Sequence, residues 1–302
     1  MAFSKLDVNT VLRKRWKVTK KLAEGGFGAV YEAFDYELLT HVALKLESAD
    51  QPNPVLKMET AILLKLRGKT EHVCGIVGAG TEDDKFNFLV MNLAGPSLAD
   101  LLASSPNRQF TESTSIRFGL QCLQGLEELH NIGFVHRDVK PGNYAIGRKK
   151  CRRIVLLLDF GLARSYLIPN EEGKLVCRPP RASCGFRGTV RYASINAHNG
   201  LEVGRHDDIW SLLYMLIEFQ CGKLPWRNVD SEKGVARMKR SIGPDQLLQG
   251  METEFKDIFE ELKRLRFDQR PKYEWFRQHF RMIQKRKQLT TRGPFEWEKE
   301  EI

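Results

Sequence analysis

The sequence predicts an α+β fold of two lobes, a small strand-rich one followed by a larger helical one. Three observations predict it. Short β-rich runs dominate before residue 96, the apolar spacing turns helical after it, and a brief segment, Met91 to Gly95, joins the two patterns as a hinge. A cleft between two such lobes is a common place for a ligand.

The strands come first. Trp16, Val18 and Leu22 sit at even spacing ahead of a glycine cluster. Val30 to Phe34, Val42 to Leu46 and Phe86 to Leu93 follow as runs rich in strand formers. One helix interrupts them: Asn53 suits an N-cap and Pro54 the first helical position. Val55, Met58, Ile62 and Leu66 then recur three and four residues apart until Gly68. In the second half, Ile116, Leu120, Leu123, Leu126 and Leu129 form one apolar stripe that Gly133 stops. Ile209 to Cys221 is apolar nearly all round, which predicts a helix buried in the core. Phe255, Ile258, Phe259, Leu262 and Leu265 mark a further amphipathic helix.

Composition bounds the function. Of 302 residues, 42% are apolar and 28% charged, the balance of a globular rather than a disordered chain. No apolar run reaches the roughly 20 residues of a membrane span, and Met1 to Lys5 lacks the apolar core of a secretory signal. The expectation is an intracellular, cytoplasmic protein that does not use a membrane, with nuclear access left open. Six scattered cysteines without a C-x-x-C pair argue against a zinc site or a disulfide scaffold. A net charge of +10 favours acidic partners without choosing among them.

Several residues carry chemistry. Lys45 lies on a strand, and alternation puts Leu44 on the opposite face. Glu59 falls at i+4 from Val55 and i−3 from Ile62, near the apolar face of its helix, where a lone carboxylate is costly. Lys45 is the evident partner, and such a pair fixes a lysine where it holds α- and β-phosphates. The cluster Ala23-Glu24-Gly25-Gly26-Phe27-Gly28-Ala29-Val30 lies between two strands. That excludes the strand-to-helix dinucleotide fingerprint, but the glycines let backbone N–H groups approach phosphates.

The most specific stretch is His136-Arg137-Asp138-Val139-Lys140-Pro141-Gly142-Asn143. Asp138 is placed to accept the proton of an attacking hydroxyl, Lys140 to neutralise a transferred phosphoryl group. Asn143 offers a carbonyl oxygen to magnesium, a hard cation. A buried strand, Ile154 to Leu158, then delivers Asp159-Phe160-Gly161, with Asp159 as second metal ligand.

Together these parts resemble the protein kinase signature set. The resemblance covers residues 16 to 280, with an N-lobe over 16–91, a hinge over 91–95 and a C-lobe over 96–280, leaving 281–302 as a short polar tail. It implies ATP and Mg2+ as cofactors, with ATP held by Leu22, Gly25, Gly26, Gly28, Val30, Ala43, Lys45, Met91, Leu93 and Asp159. It implies that Asp208 holds the catalytic loop's backbone and that Thr189 contacts Asp138 and Lys140. Lys140 and Thr189 match the serine/threonine form. Arg191-Tyr192-Ala193-Ser194-Ile195-Asn196 is similar to the casein kinase 1 superfamily, as are Gly95-Pro96-Ser97-Leu98 and Arg266 to Pro271. Arg178 to Arg181, Gly185 to Tyr192 and Gly204 to Asp208 most resemble its tau-tubulin kinase branch. Two positions depart from the general pattern: Ala23 replaces the first loop glycine, and Asn196 replaces a glutamate that commonly pairs with a distant arginine.

Arg178, Arg181, Arg187 and Arg191 crowd the segment before Ser194. They read either as a solvated basic loop or as an anion site, for which arginine's planar fork is suited. The resemblance implies that Arg191 binds an anion with a basic residue near Arg237. The substrate anion site expected is therefore Arg178, Arg187, Arg191 and Arg237, serving protein substrates with acidic or phosphorylated segments. Arg148 to Arg153 is denser still and falls at a hairpin tip; it is a solvated turn, a nuclear-import patch or a docking point for acidic tails such as those of tubulin. The alternatives to an active kinase are a kinase-fold scaffold without turnover and a basic cytoskeletal or nucleic-acid-binding module. Lys45, Asp138 and Asp159 are all present, against the first, and no nucleic-acid motif supports the second.

Overall fold

The computed structural model describes residues 6–25, 28–51, 54–82 and 85–298; Gly26 and Asn53 lie outside them. A six-stranded antiparallel sheet forms the first lobe: β1 (Val11–Leu12), β2 (Trp16–Gly25), β3 (Gly28–Asp35), β4 (Thr40–Ser48), β5 (Ile76–Glu82) and β6 (Phe86–Asn92), in the order β1-β2-β3-β4-β6-β5. The strand β5 was not expected from the sequence: its centre is three small residues, Gly78, Ala79 and Gly80, which interrupt the strand formers on either side. Pairing of Lys45 with Val30 and Leu89 fixes the register. Period-two alternation then splits β4 between two cores: Val42, Leu44 and Leu46 pack with Trp16, Tyr31 and Val90, whereas Ala43 turns to the other side with Leu89 and Met91.

The helix α1 (Leu56–Leu66) packs against this sheet. It starts after Pro54, not on it. The Glu47 carboxylate on β4 accepts from the backbone N–H groups of Val55 (2.7 Å) and Leu56 (3.0 Å), so the neighbouring strand caps this end. The second lobe holds α2 (Leu98–Ser104), α3 (Glu112–Asn131), α4 (Ile195–His198), α5 (Arg205–Cys221), α6 (Glu232–Ser241), α7 (Pro244–Leu247), α8 (Glu254–Arg264) and α9 (Tyr273–Arg286). Helix α5 is buried from Arg205 to Phe219 and lies against α3, which in turn packs on α9. Short pairs complete the lobe: β7 (Phe134–Val135) with β10 (Arg164–Ser165), β8 (Tyr144–Ile146) with β9 (Val155–Leu157), and β11 (Leu167–Pro169) with β12 (Leu175–Cys177). Among the described residues no helix is long and apolar enough to cross a membrane.

The C-terminal residues differ from the polar tail expected. Helix α9 runs across residue 281, and the chain beyond it folds back on α3. Phe295 is 2% exposed, with its ring 5.1 Å from Phe118 and 4.9 Å from Trp297, and the Arg117 guanidinium lies 3.8 Å over it. Glu296 accepts from Thr111 and Thr114, while Glu298 pairs with Arg152 and Arg153 on the β8–β9 tip. Aromatic residues two apart in a polar stretch were the available signal for this docking.

Candidate active site

Between the lobes lies a cleft of about 440 Å³, lined from the first lobe by Leu22, Gly25, Gly28, Val30, Ala43 and Lys45, from the hinge by Met91 and Leu93, and from the second lobe by Asn143 and Asp159. These are the residues expected to hold a nucleotide, Gly26 excepted, and the volume suits a ligand of that size. Val55, Leu63, Cys74 and Leu157 also line it. Spacing read Val55 and Leu157 only as parts of an apolar helix face and a buried strand, because a core residue and a cleft wall carry the same apolar pattern; Leu63 and Cys74 were not singled out. Gly28 cannot be replaced here. Its φ is +141°, and a Cβ would come within 1.9 Å of the Leu46 carbonyl oxygen.

Lys45 projects from β4 into this cleft, away from Leu44. Its Nζ donates to Glu59 Oε2 at 2.6 Å and to Asp159 Oδ1 at 2.9 Å. Burial alone would lower the ammonium, but the two carboxylates outweigh it and hold Lys45 above its ordinary value. Burial likewise raises Asp159, yet Lys45 prevails and its carboxyl ends below the usual range. Glu59 is pulled upward by burial against Lys45. The 2.6 Å contact on a lysine held charged is that of an ion pair, so we take Glu59 as ionised.

The second half of the site is built on Asp138. Its Oδ1 accepts from Thr189 Oγ1 (2.7 Å), and its Oδ2 from Lys140 Nζ (2.6 Å) and Asn143 Nδ2 (3.1 Å). Asn143 Nδ2 also donates to the Asp138 carbonyl (2.8 Å), so the amide is oriented and Oδ1 is left without a donor among the described residues. Asn143 and Asp159 are thus the residues that could hold a divalent metal. Among the described residues there is no cluster of three His, Cys, Asp or Glu side chains. The two oxygen donors, Asn143 Oδ1 and the Asp159 carboxylate, suit a hard cation such as magnesium, which takes one or two protein ligands and completes its shell with phosphates and water.

The loop carrying Asp138 is held from beneath. Asp208, at the start of α5 and 1% exposed, accepts from the backbone N–H groups of His136 (2.7 Å) and Arg137 (2.9 Å) and from His130 Nε2 (2.8 Å). Burial keeps His130 neutral against the pull of Asp208, and its other nitrogen meets the Tyr273 hydroxyl at 2.6 Å. Arg137 adopts φ +68°, a left-handed conformation that Asp208 stabilises. Gly188, at φ +105°, lets the following segment approach; a Cβ there would lie 2.6 Å from the Arg137 carbonyl oxygen.

The expected anion residues fall into separate surroundings. Arg178 lies within electrostatic reach of Arg164, which with Arg181 pairs Glu202. Arg187 is exposed and donates to its neighbour's carbonyl. Arg191 pairs with Glu218 at 3.3 Å, and Arg237 is exposed on α6 without a partner among the described residues. Two residues from Arg237, Lys239 is 3% exposed; its Nζ donates to the carbonyls of Val190 (2.8 Å) and Ala193 (2.6 Å), between the rings of Tyr214 and Trp226. Lys239 thus holds the segment that contains Arg191. Val235, Ala236 and Lys239 share one face of α6, a spacing that was the available clue. Asn196 Nδ2 donates to Asp207 Oδ1 at 3.0 Å, so a carboxylate is met here by an amide.

The protein kinase domain family matches residues 16–280. A Dictyostelium discoideum protein named "Probable serine/threonine-protein kinase" is 36% identical over 290 residues, 96% of this chain and 57% of that protein. A Caenorhabditis elegans protein named "Putative serine/threonine-protein kinase" is 38% identical over 300 residues, 98% of this chain and 85% of that one. The chain therefore spans little more than half the length of the first relative and most of the second.

Proposed function

The chain belongs to the protein kinase family, and on that premise we propose that it is an active serine/threonine kinase of the casein kinase 1 type that prefers acidic or already phosphorylated protein segments. The observation that carries the reading is the joined set Glu59–Lys45–Asp159 in the cleft together with Asp138–Lys140–Thr189, which meets the cleft through Asn143, a lining residue bonded to Asp138. In phosphoryl transfer the protein's work is mostly positioning and charge stabilisation. Lys45 is fixed to meet the α- and β-phosphates. Asp138, held between Thr189 and Lys140, is oriented to take the proton of a substrate hydroxyl. Lys140 is positioned to offset charge on the moving phosphoryl group. A magnesium ion on Asn143 and Asp159 would neutralise the phosphate oxygens.

Preference for acidic substrates is supported by Arg187 and Arg237, both exposed, and by Arg191, whose side chain stays 44% exposed beside Glu218. Ser194-Ile195-Asn196, with Ser194 capping α4 and Asn196 on Asp207, supports the casein kinase 1 likeness. Tubulin or tubulin-associated proteins are among the acidic substrates this reading admits. Six free cysteines support a reducing, intracellular setting.

The test is transfer of labelled phosphate from ATP with magnesium to an acidic protein, beside Asp138→Asn. Transfer by the wild type alone is expected. Transfer by neither, with ATP still bound, would make the protein a scaffold. The paired variant Arg191→Ala/Arg237→Ala should lower the ratio of phospho-primed to unprimed peptide turnover; an unchanged ratio would remove the substrate preference.

A further inference from the structure

Behind the hinge, on the side away from the nucleotide cleft, lies a groove of about 620 Å³. It shares Cys74, Asn92 and Leu93 with the cleft, so the two sites back onto one another. We infer that this groove docks an acidic segment of a protein substrate that carries large aliphatic side chains.

One rim is the turn between β3 and β4. Leu38 is 53% exposed and Leu39 is 75% exposed, at a tip where polar residues are the rule. Leu39 also adopts φ +50°, a left-handed conformation that glycine or asparagine takes at lower cost. The turn is nevertheless rigidly built. The buried Asp35 carboxylate accepts from the backbone N–H groups of Glu37 (2.9 Å) and Leu38 (3.1 Å) while paired to Arg15 (2.9 Å). Two exposed leucines held in place at a backbone cost are explained by a partner that covers them.

The opposite rim is the β8–β9 tip. Arg148 and Lys149 line the groove, and Lys150 is exposed beside them; none has a partner among the described residues. Arg152 and Arg153 are both paired with Glu298, which also steadies the tip. Glu71 is the single carboxylate of the lining among the described residues, and His41 is paired to Glu32. The occupant therefore needs negative charge for one wall and aliphatic groups for the other. A nucleic acid supplies the first without the second, and the groove offers no stacking platform of the kind single strands use. An acidic, leucine-containing peptide supplies both. Such docking would raise the local concentration of a substrate hydroxyl at Asp138.

The consequence for turnover rests on the kinase reading, whereas binding does not, so the two are measured apart. A short fluorescein-labelled peptide of glutamates with a pair of leucines is titrated by anisotropy without ATP. Leu38→Ser/Leu39→Ser and Arg148→Glu/Lys149→Glu are each expected to weaken it about tenfold or more. Added salt should weaken it too. The peptide should also protect the exposed Cys151 on the groove wall from alkylation, read by mass spectrometry against Cys177. A substrate tethered to the peptide should show a raised KM in both variants, with the untethered substrate unchanged. Equal binding of a leucine-free glutamate peptide would overturn the proposal, leaving only a charged surface. So would unprotected Cys151, which would place binding elsewhere, or a dimer in sedimentation that Leu38→Ser/Leu39→Ser dissolves. Peptide binding as described with no transfer to any substrate would sink the kinase reading and leave the docking site standing.

Discussion

Asp208→Asn, which keeps the shape of the side chain, should uncouple the catalytic loop from the core. The carboxylate accepts three hydrogen bonds of 2.7, 2.9 and 2.8 Å from His136, Arg137 and His130. An asparagine retains one oxygen. Placed at the Oδ2 position, it keeps the bonds from His136 and His130 but loses their charge assistance, about 1 kcal/mol each. Its amide then faces the Arg137 N–H donor to donor, leaving a buried group unsatisfied at about 1–3 kcal/mol. The expected loss is about 3–5 kcal/mol of stability, measured by urea unfolding. Arg137, at φ +68°, is then free to relax and carry Asp138 with it. A shift of about 1 Å at the reacting groups costs on the order of a hundredfold in kcat. The pH profile gives an independent check. Burial raises Asp208, but His130 and the backbone hold it below its ordinary value. The unfolded chain therefore binds the proton first as pH falls. The wild type's stability advantage is present above the usual carboxylate range and fades as the pH drops through the lowered folded value. A variant with kcat within about threefold of wild type and unchanged urea stability would refute the argument.

Phe295→Ala should cost about 3–5 kcal/mol, since the ring is buried against Phe118, Trp297 and Arg117. Thermal unfolding reads the loss, and a melting temperature within a degree or so of wild type would show the C-terminal residues to be undocked. Asn196→Asp sets a carboxylate 3.0 Å from Asp207 and should destabilise the protein by about 1–3 kcal/mol above pH 6, with partial recovery in acid where one of the two takes a proton. No recovery on acidification would remove the electrostatic explanation. Burial pushes Lys239 down to about 6, far below the ordinary lysine value. Between there and about pH 10 the unfolded chain binds more protons, so wild-type stability should rise with pH over that window. Lys239→Met should abolish the slope and raise the peptide KM by loosening Val190 to Ala193. A slope that persists in the variant would assign it to another group.

Local patterns were legible because their chemistry is local. Asp138, Lys140 and Asn143 share one loop, and Asp159 lies at the end of the adjacent strand, so spacing alone aligned them. Alternation on β4 separated Lys45 from Leu44, and helical spacing on α1 pointed to Glu59; these two period rules foresaw a 2.6 Å contact across 14 residues. Helices α3, α5 and α8 were legible for the same reason, through apolar spacing within one element.

Where a residue's role depends on what another element brings to it, spacing was silent. Glu47 carries no motif of its own, and only the approach of α1 makes it a cap. Lys239 stands among Lys233, Arg237 and Arg240, and the turn of α6 sends it alone between two aromatic rings. The basic residues Arg148 to Arg153 were one charged run in sequence. Folding divided them, giving Arg152 and Arg153 to Glu298 and leaving Arg148, Lys149 and Lys150 beside a groove. By itself the sequence determined the two lobes and singled out the groups we propose to react, since backbone periodicity and loop spacing are set by neighbours along the chain. Which charges remain free for a substrate was decided only by tertiary structure, because pairing needs a partner within a few ångströms, and that partner came from 21 residues away for Arg181, 27 for Arg191 and 145 for Arg153.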